Sequence, residues 1–169
     1  MEKVKTMSQL KAKHGDLIAI TGELGSSAIK KKTKDNRFEI NSSEYALTLS
    51  IIKKIQYFAQ ANTNNIKGLM LSLREICQAS QLGAKISLEQ LPVNRQVKNE
   101  SSEWSNLALF AGNVGQICFT FKVSDLYKLP DNCTVIGQMG CGNQVKVFSN
   151  NQEVNIKDNH GLLHCKTVD

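Results

Sequence analysis

No apolar run in this chain approaches the roughly 18 residues needed to cross a bilayer. Met1-Glu2-Lys3-Val4-Lys5 leads into polar sequence and not into the apolar stretch of a signal peptide. These two absences set the expectation of a cytoplasmic protein with no membrane partner. The five cysteines, Cys77, Cys118, Cys133, Cys141 and Cys165, include no C-x-x-C pair, so neither a zinc knuckle nor a thiol redox motif is indicated. Their odd number argues against a secreted disulfide framework. Cys77 and Cys118 fall in apolar periodic segments and are expected to be small buried hydrophobes. Acidic residues are also short, 15 against 21 basic ones, for a formal charge of +6. Much of that excess comes from Lys30, Lys31, Lys32 and Lys34 in one segment. No aromatic residues interleave with it as stacking platforms, which argues for a solvated connection and against a nucleic-acid partner.

What the chain does have is an ordinary apolar content, 41% of 169 residues, enough for one domain with a sizeable core. The best-patterned stretch follows Asn64-Asn65-Ile66-Lys67-Gly68. Leu69, Leu73, Ile76 and Ser80 recur at i, i+4, i+7 and i+11, with Met70 and Cys77 widening the stripe, which predicts a helix from Leu69 to Leu82 with one apolar face. Asn64 and Asn65 are the expected caps of its first turn, and Gly83 its expected positive-φ terminator. The helix N-terminus carries the positive end of a dipole and could attract an anion.

Leu17-Ile18-Ala19-Ile20-Thr21 predicts a strand buried on both faces. The loop Gly22-Glu23-Leu24-Gly25-Ser26-Ser27 follows it without the spacing or lysine of a G-x-x-x-x-G-K-[ST] motif, so a strand-to-helix turn is the plainer reading. Ser42 and Ser43 offer a cap for an amphipathic helix from Glu44 to Ala61, marked by Tyr45, Leu49, Ile52, Ile55 and Ala59. Lys85 to Leu88 predicts a strand, Pro92 to Glu103 a loop, and Leu107 to Phe110 a strand preceded by Trp104, expected to cover the sheet edge. Gln116 to Phe121 predicts a strand and Ser124 to Leu129 a short helix. Cys133 to Gly137 and Val145 to Phe148 predict two strands joined by Gly140-Cys141-Gly142-Asn143, and Asn150-Asn151 a turn into Val154-Asn155-Ile156. Mixed strands and helices without strict alternation give an α+β class, helices layered on a mixed sheet.

The order of these segments resembles the C-terminal half of thiamine-monophosphate kinase. The resemblance is carried by Lys13 to Gly22, Leu24-Gly25-Ser26-Ser27-Ala28, Ile66-Lys67-Gly68-Leu69, Gln78 to Ala84, Leu107 to Thr120, Ile136 to Met139 and Gly161-Leu162-Leu163-His164. That family is grouped with aminoimidazole ribonucleotide synthetase and selenophosphate synthetase. The resemblance implies a single domain over 1–169, a mixed sheet covered by helices on one side, and an N-terminal ATP-binding domain lying outside this sequence. It also implies transfer of a phosphoryl group from ATP to thiamine monophosphate, with Mg²⁺ held by aspartates.

The chain departs from that pattern at its acidic positions. A D-[IL]-S-D-G-L motif is matched by Asn64-Asn65-Ile66-Lys67-Gly68-Leu69, without either aspartate. A G-G-E-D-Y-E-L motif is matched by Ala111-Gly112-Asn113-Val114-Gly115-Gln116-Ile117, losing three carboxylates, and G-D-S becomes Gly25-Ser26-Ser27. Amides hold Mg²⁺ poorly because they carry no charge, and Lys67 would repel it. The expectation is therefore a domain that does not catalyse alone, with no catalytic or metal-ligating residues and no cofactor, acting in a structural or interaction role. The alternative is one component of a split kinase, using ATP and Mg²⁺ only when a separate N-terminal-domain chain completes it. A homo-oligomer is the other partner considered. Residues placed around a residual substrate or phosphate site are Gly22, Gly25, Ser26, Asn64, Lys67, Gly68, Gly112 and Asn113. His14 and His160 are read as solvated, and His164 as structural.

Overall fold

The computed structural model describes residues 11–25, 42–113 and 115–156, the side chains of 42–46 and 100 excepted. Seven strands form one sheet in the order β2-β4-β1-β5-β3-β6-β7. They are β1 Leu17–Thr21, β2 Ala59–Asn64, β3 Gly83–Ser87, β4 Ile117–Phe121, β5 Cys133–Gly140, β6 Val145–Ser149 and β7 Gln152–Val154. All neighbours run antiparallel except β3 and β6, so the sheet is mixed. The helices are α1 Ser42–Ile55, α2 Leu69–Ser80, α3 Arg95–Glu100 and α4 Trp104–Phe110, with short 3-10 turns at Asn65–Lys67, Leu88–Gln90 and Val123–Lys128.

The central strands β1 and β4 are buried along both faces, and their alternation divides the core in two. Ile18, Ile20 and Cys118 point into a cluster with Leu69, Met70, Leu73, Ile76 and Cys77 of α2 and Ala108, Leu109 and Phe110 of α4. Ala19, Ile117, Phe119 and Phe121 point the other way, onto Ile51 and Ile55 of α1 and onto Phe58. Phe58 meets Phe119 and Phe121 edge-on, with ring centroids 6.2 and 5.7 Å apart. The α+β class and mixed sheet are as expected. Helices α2 and α4 share one face, and α1 covers part of the other.

Several local expectations are corrected. The helix predicted to reach Ala61 stops at Ile55, and Ala59–Asn64 forms edge strand β2 against β4. Pairing with an apolar strand overrides the weak β preference of Ala-Gln-Ala-Asn-Thr-Asn. Leu107 to Phe110 is helical and begins at Trp104, whose half-buried ring lies under the Lys98 ammonium 5.1 Å from its centroid. The loop expected from Pro92 contains α3, capped by the Asn94 side chain accepting from Gln96 N–H at 2.9 Å. The left-handed residue ending α2 is Gln81, and Gly83 opens β3 instead. Neither Asn64 nor Asn65 caps α2 with its side chain; Gly68 occupies the cap. β5 and β6 are consecutive in sequence but not paired, because β3 lies between them. Cys77 and Cys118 are buried as expected, and Cys133 with them. His14 is exposed as expected, whereas Lys30 to Lys34, His160 and His164 lie outside the described residues.

Candidate functional site

The two segments matched to acidic motifs meet at one end of the sheet. The turn Asn65–Lys67 links β2 to α2, while Ala111 to Gln116 links α4 to β4. They pack backbone against backbone. A Cβ on Gly112 would stand 1.6 Å from the Ile66 carbonyl oxygen, and one on Gly68 would stand 2.5 Å from that of Phe110. Gly68 also has φ +98°, which side chains rarely adopt. Both glycines are thus required by this contact before any ligand is considered.

Between the segments lies a buried polar cluster. Asn65 has 0% exposure and Gln116 has 6%. Asn65 Nδ2 donates to Gln116 Oε1 at 2.9 Å, Gln116 Nε2 donates to the Glu23 carbonyl oxygen, and Asn65 N–H donates to the Gln116 carbonyl at 2.9 Å. The Asn65 carbonyl accepts from Asn113 N–H at 2.9 Å and from Gly68 N–H at 3.4 Å. The Ser72 hydroxyl sits within hydrogen-bond distance of Asn65 Oδ1, at 3.3 Å, and of the Asn64 and Gly68 carbonyls. Nearby, Thr21 Oγ1 accepts from Ile117 N–H at 2.9 Å. One chain of amides therefore ties the loop after β1, the start of β4 and the entry to α2. Every group in it is neutral, so it can hold the backbone in place but offers no anionic oxygen to a cation.

The expected site residues divide around this cluster. Gly22, Asn64, Gly68, Gly112 and Asn113 surround it, and Gly22 N–H donates to the Asn132 carbonyl at 2.9 Å. Gly25 packs against Val97 of α3, because Leu24 bridges to Val93 and binds this loop to residues 92–94. Lys67 turns outward, with Nζ 4.0 Å from the Glu75 carboxylate and 73% of the side chain exposed. Glu75 also accepts from Thr63 Oγ1 at 2.9 Å. Ser26 lies outside the described residues. The residues that organise this end most tightly, Asn65, Ser72 and Gln116, were not among those singled out, although Gln116 stands at a position matched to a carboxylate. Among the described residues no group of three His, Cys, Asp or Glu side chains is placed to hold a metal ion.

A thiamine-monophosphate kinase of Buchnera aphidicola subsp. Schizaphis graminum is 30% identical to the chain over 173 residues, covering 90% of this chain and 54% of the relative. The chain is related to the thiamine-monophosphate kinases. It spans about half the length of the curated relatives it matches. In structure it is similar to the thiamine monophosphate kinase of Aquifex aeolicus, with a TM-score of 0.68 and 23% identity over 92% of this chain and 56% of the other. One structure of that type is a complex with AMPPCP and TMP. The E. coli hydrogenase maturation protein HypE gives a TM-score of 0.72 at 15% identity, over 94% of this chain and 54% of its own. These likenesses show the fold, an α+β domain with a mixed seven-stranded sheet. No protein-family model matches the chain.

Proposed function

We propose that this chain is a thiamine-monophosphate kinase-like domain that does not catalyse alone and acts as a structural or interaction domain. The observation that supports this most directly is the Asn65 to Gln116 amide pair, held at 2.9 Å and closed to solvent. Phosphoryl transfer from ATP needs cations to balance charge on the incoming and departing oxygens, and cations need anionic ligands. At the end of the sheet matched to the acidic motifs, amides are bonded to one another, and the Lys67 side chain faces solvent. ATP and Mg²⁺ are not cofactors of the isolated chain on this reading.

A second reading, a split kinase component, is favoured by the half-length match to relatives. In it, a separate chain carrying the remaining half brings the metal ligands. Two measurements separate the readings. The first compares thermal unfolding with ATP, thiamine phosphates or inorganic phosphate, with and without Mg²⁺, since native-state binding raises the melting temperature. The proposed reading expects no Mg²⁺-dependent shift with ATP. The second adds a polypeptide corresponding to the remaining half of a relative and assays ATP-dependent phosphorylation of thiamine monophosphate. Turnover that appears only with the added chain would replace the first reading by the second.

A further inference from the structure

The sheet ends in two unlike edges. β7, at one of them, has three residues, and its Glu153 carboxylate accepts from Lys146 Nζ at 3.1 Å. A short, charged edge strand discourages the addition of another strand. β2, at the other edge, has six residues, Ala-Gln-Ala-Asn-Thr-Asn, with neither a charge nor a proline. Its register against β4 shifts between Ala59 and Ala61, which leaves residues 61–64 as a regular edge.

The hydrogen bonds fix the direction of each backbone group on β2. Ala61 N–H donates to Thr120 Oγ1 at 3.2 Å and Asn65 N–H to the Gln116 carbonyl at 2.9 Å, so the odd-numbered residues turn toward β4. Antiparallel pairing alternates, so Asn62 and Asn64 turn their N–H and C=O to the open side. No described strand lies there. Asn62 carries a further unused donor. Its side chain shares a face with Phe119, its opposite residue on β4, and its Nδ2 is enclosed with no hydrogen-bond partner. An enclosed donor without an acceptor costs stability until one arrives.

A second copy of β2 meets these demands. Facing residues of an antiparallel pair share a face, so even positions must meet even ones and odd positions odd ones. A two-fold axis through Asn62 does this: it sets Asn62 against Asn62 of the second copy, Ala61 against Thr63, and Asn64 against Gln60. The two Asn62 residues then exchange both backbone hydrogen bonds. Their amides become neighbours on one face, where an Oδ1 can accept from the other copy's Nδ2. The strand carries no charge, so no like charges oppose each other across the axis. We infer that β2 is a self-pairing edge and that two copies of this chain join there, antiparallel about Asn62, into one continuous sheet. This deepens the interaction-domain reading and rests on it, naming a second copy as the partner.

The test is sedimentation equilibrium of the full chain from about 1 μM to about 1 mM, with amide hydrogen exchange in β2 compared below and above any transition in mass. The expected result is a mass that climbs from 18.7 kDa toward twice that value, with exchange at Asn62 and Asn64 slowing as it does. Asn62→Pro removes the outward N–H and the side-chain amide but no donor of the ladder to β4. That variant is expected to stay at the single-chain mass throughout, with exchange at Ala61 and Thr63 unchanged. A native chain that is monomeric at every concentration would overturn the inference. So would a dimer whose Asn62 amide exchanges as fast as the monomer's, or a folded Asn62→Pro protein that still dimerises. If Asn62→Pro does not fold, exchange at Asn62 in the native chain decides alone. A monomeric native chain leaves the ATP and Mg²⁺ unfolding comparison of the proposed function unchanged, so the two readings fail separately.

Discussion

Two polar arrangements, one just before α2 and one just after β3, solve the same task with different chemistry. Around Asn65 and Gln116, buried backbone is held by neutral amides with almost no exposure. After β3, the exposed Glu89 carboxylate accepts from Ser87 Oγ at 2.5 Å, Ser149 Oγ at 2.8 Å and Asn150 N–H at 2.9 Å, clasping the turn between β6 and β7. These hydrogen bonds favour the ionised form and lower the Glu89 pKa from 4.5 to about 2, with Ser87 the largest contributor. The ionised acid is kept where water can solvate it. The buried end carries groups that do not titrate and, being bonded to one another, carry no unmet charge.

The contrast can be broken first at its most rigid point. Gly112→Ala places a methyl group inside the Ile66 carbonyl, where only backbone movement can relieve it. The expected cost is on the order of 4 kcal/mol or more, read from urea unfolding, or loss of the folded protein altogether. Leu73→Ala, fully buried on α2 beside this cluster, is expected to cost about 2–5 kcal/mol by the same measurement. It calibrates the apolar core against the polar one.

Gln116→Leu removes both amide partners at once, leaving Asn65 Nδ2 and the Glu23 carbonyl without them. A loss of about 1–3 kcal/mol per stranded group is expected. Gln116→Glu sharpens the comparison through pH. A carboxylate there would be buried and would face the Glu23 carbonyl, so its folded pKa would lie above the unfolded value. Relative to the native chain, the variant should be least destabilised below roughly pH 4.3, where the protonated acid can still donate, and should lose ground as pH rises through the folded pKa. A Gln116→Glu protein no more destabilised relative to the native chain at pH 7 than at pH 4 would contradict the closed neutral cluster.

The smallest effect is expected at Glu89. Its pKa is lower in the folded state, so its contribution is complete above about pH 4.5 and is lost as pH falls toward about 2. The melting-temperature difference between the native chain and Glu89→Gln should therefore shrink across that window. The difference between the native chain and Gln116→Leu should stay constant across it.

How much of this was legible in the sequence follows from the range of the interactions. β1, β4 and α2 carry their own signals, a continuous apolar run or a 3.6-residue stripe, and lie where those signals put them. β2 was hidden because Ala59 continues the apolar spacing of α1, and only pairing with β4 makes the segment extended. Leu107 to Phe110 is too short an apolar run for periodicity to separate helix from strand. The importance of Gly68 and Gly112 was legible as a motif, but its cause, two backbones in contact, joins positions 44 residues apart in sequence. The Asn65 to Gln116 bond spans 51 residues, and neither amide has a local neighbour that announces it.

The measurement that bears most directly on the neutral closed site is a Mn²⁺ titration of the isotope-labelled full chain, followed through the side-chain NH₂ signals of Asn65 and Gln116. The account predicts that both signals persist without selective broadening as Mn²⁺ reaches equimolar concentration, with or without ATP. Selective broadening of these two signals, saturating with added Mn²⁺, would mean that this end of the sheet still holds a divalent cation, and would contradict the account.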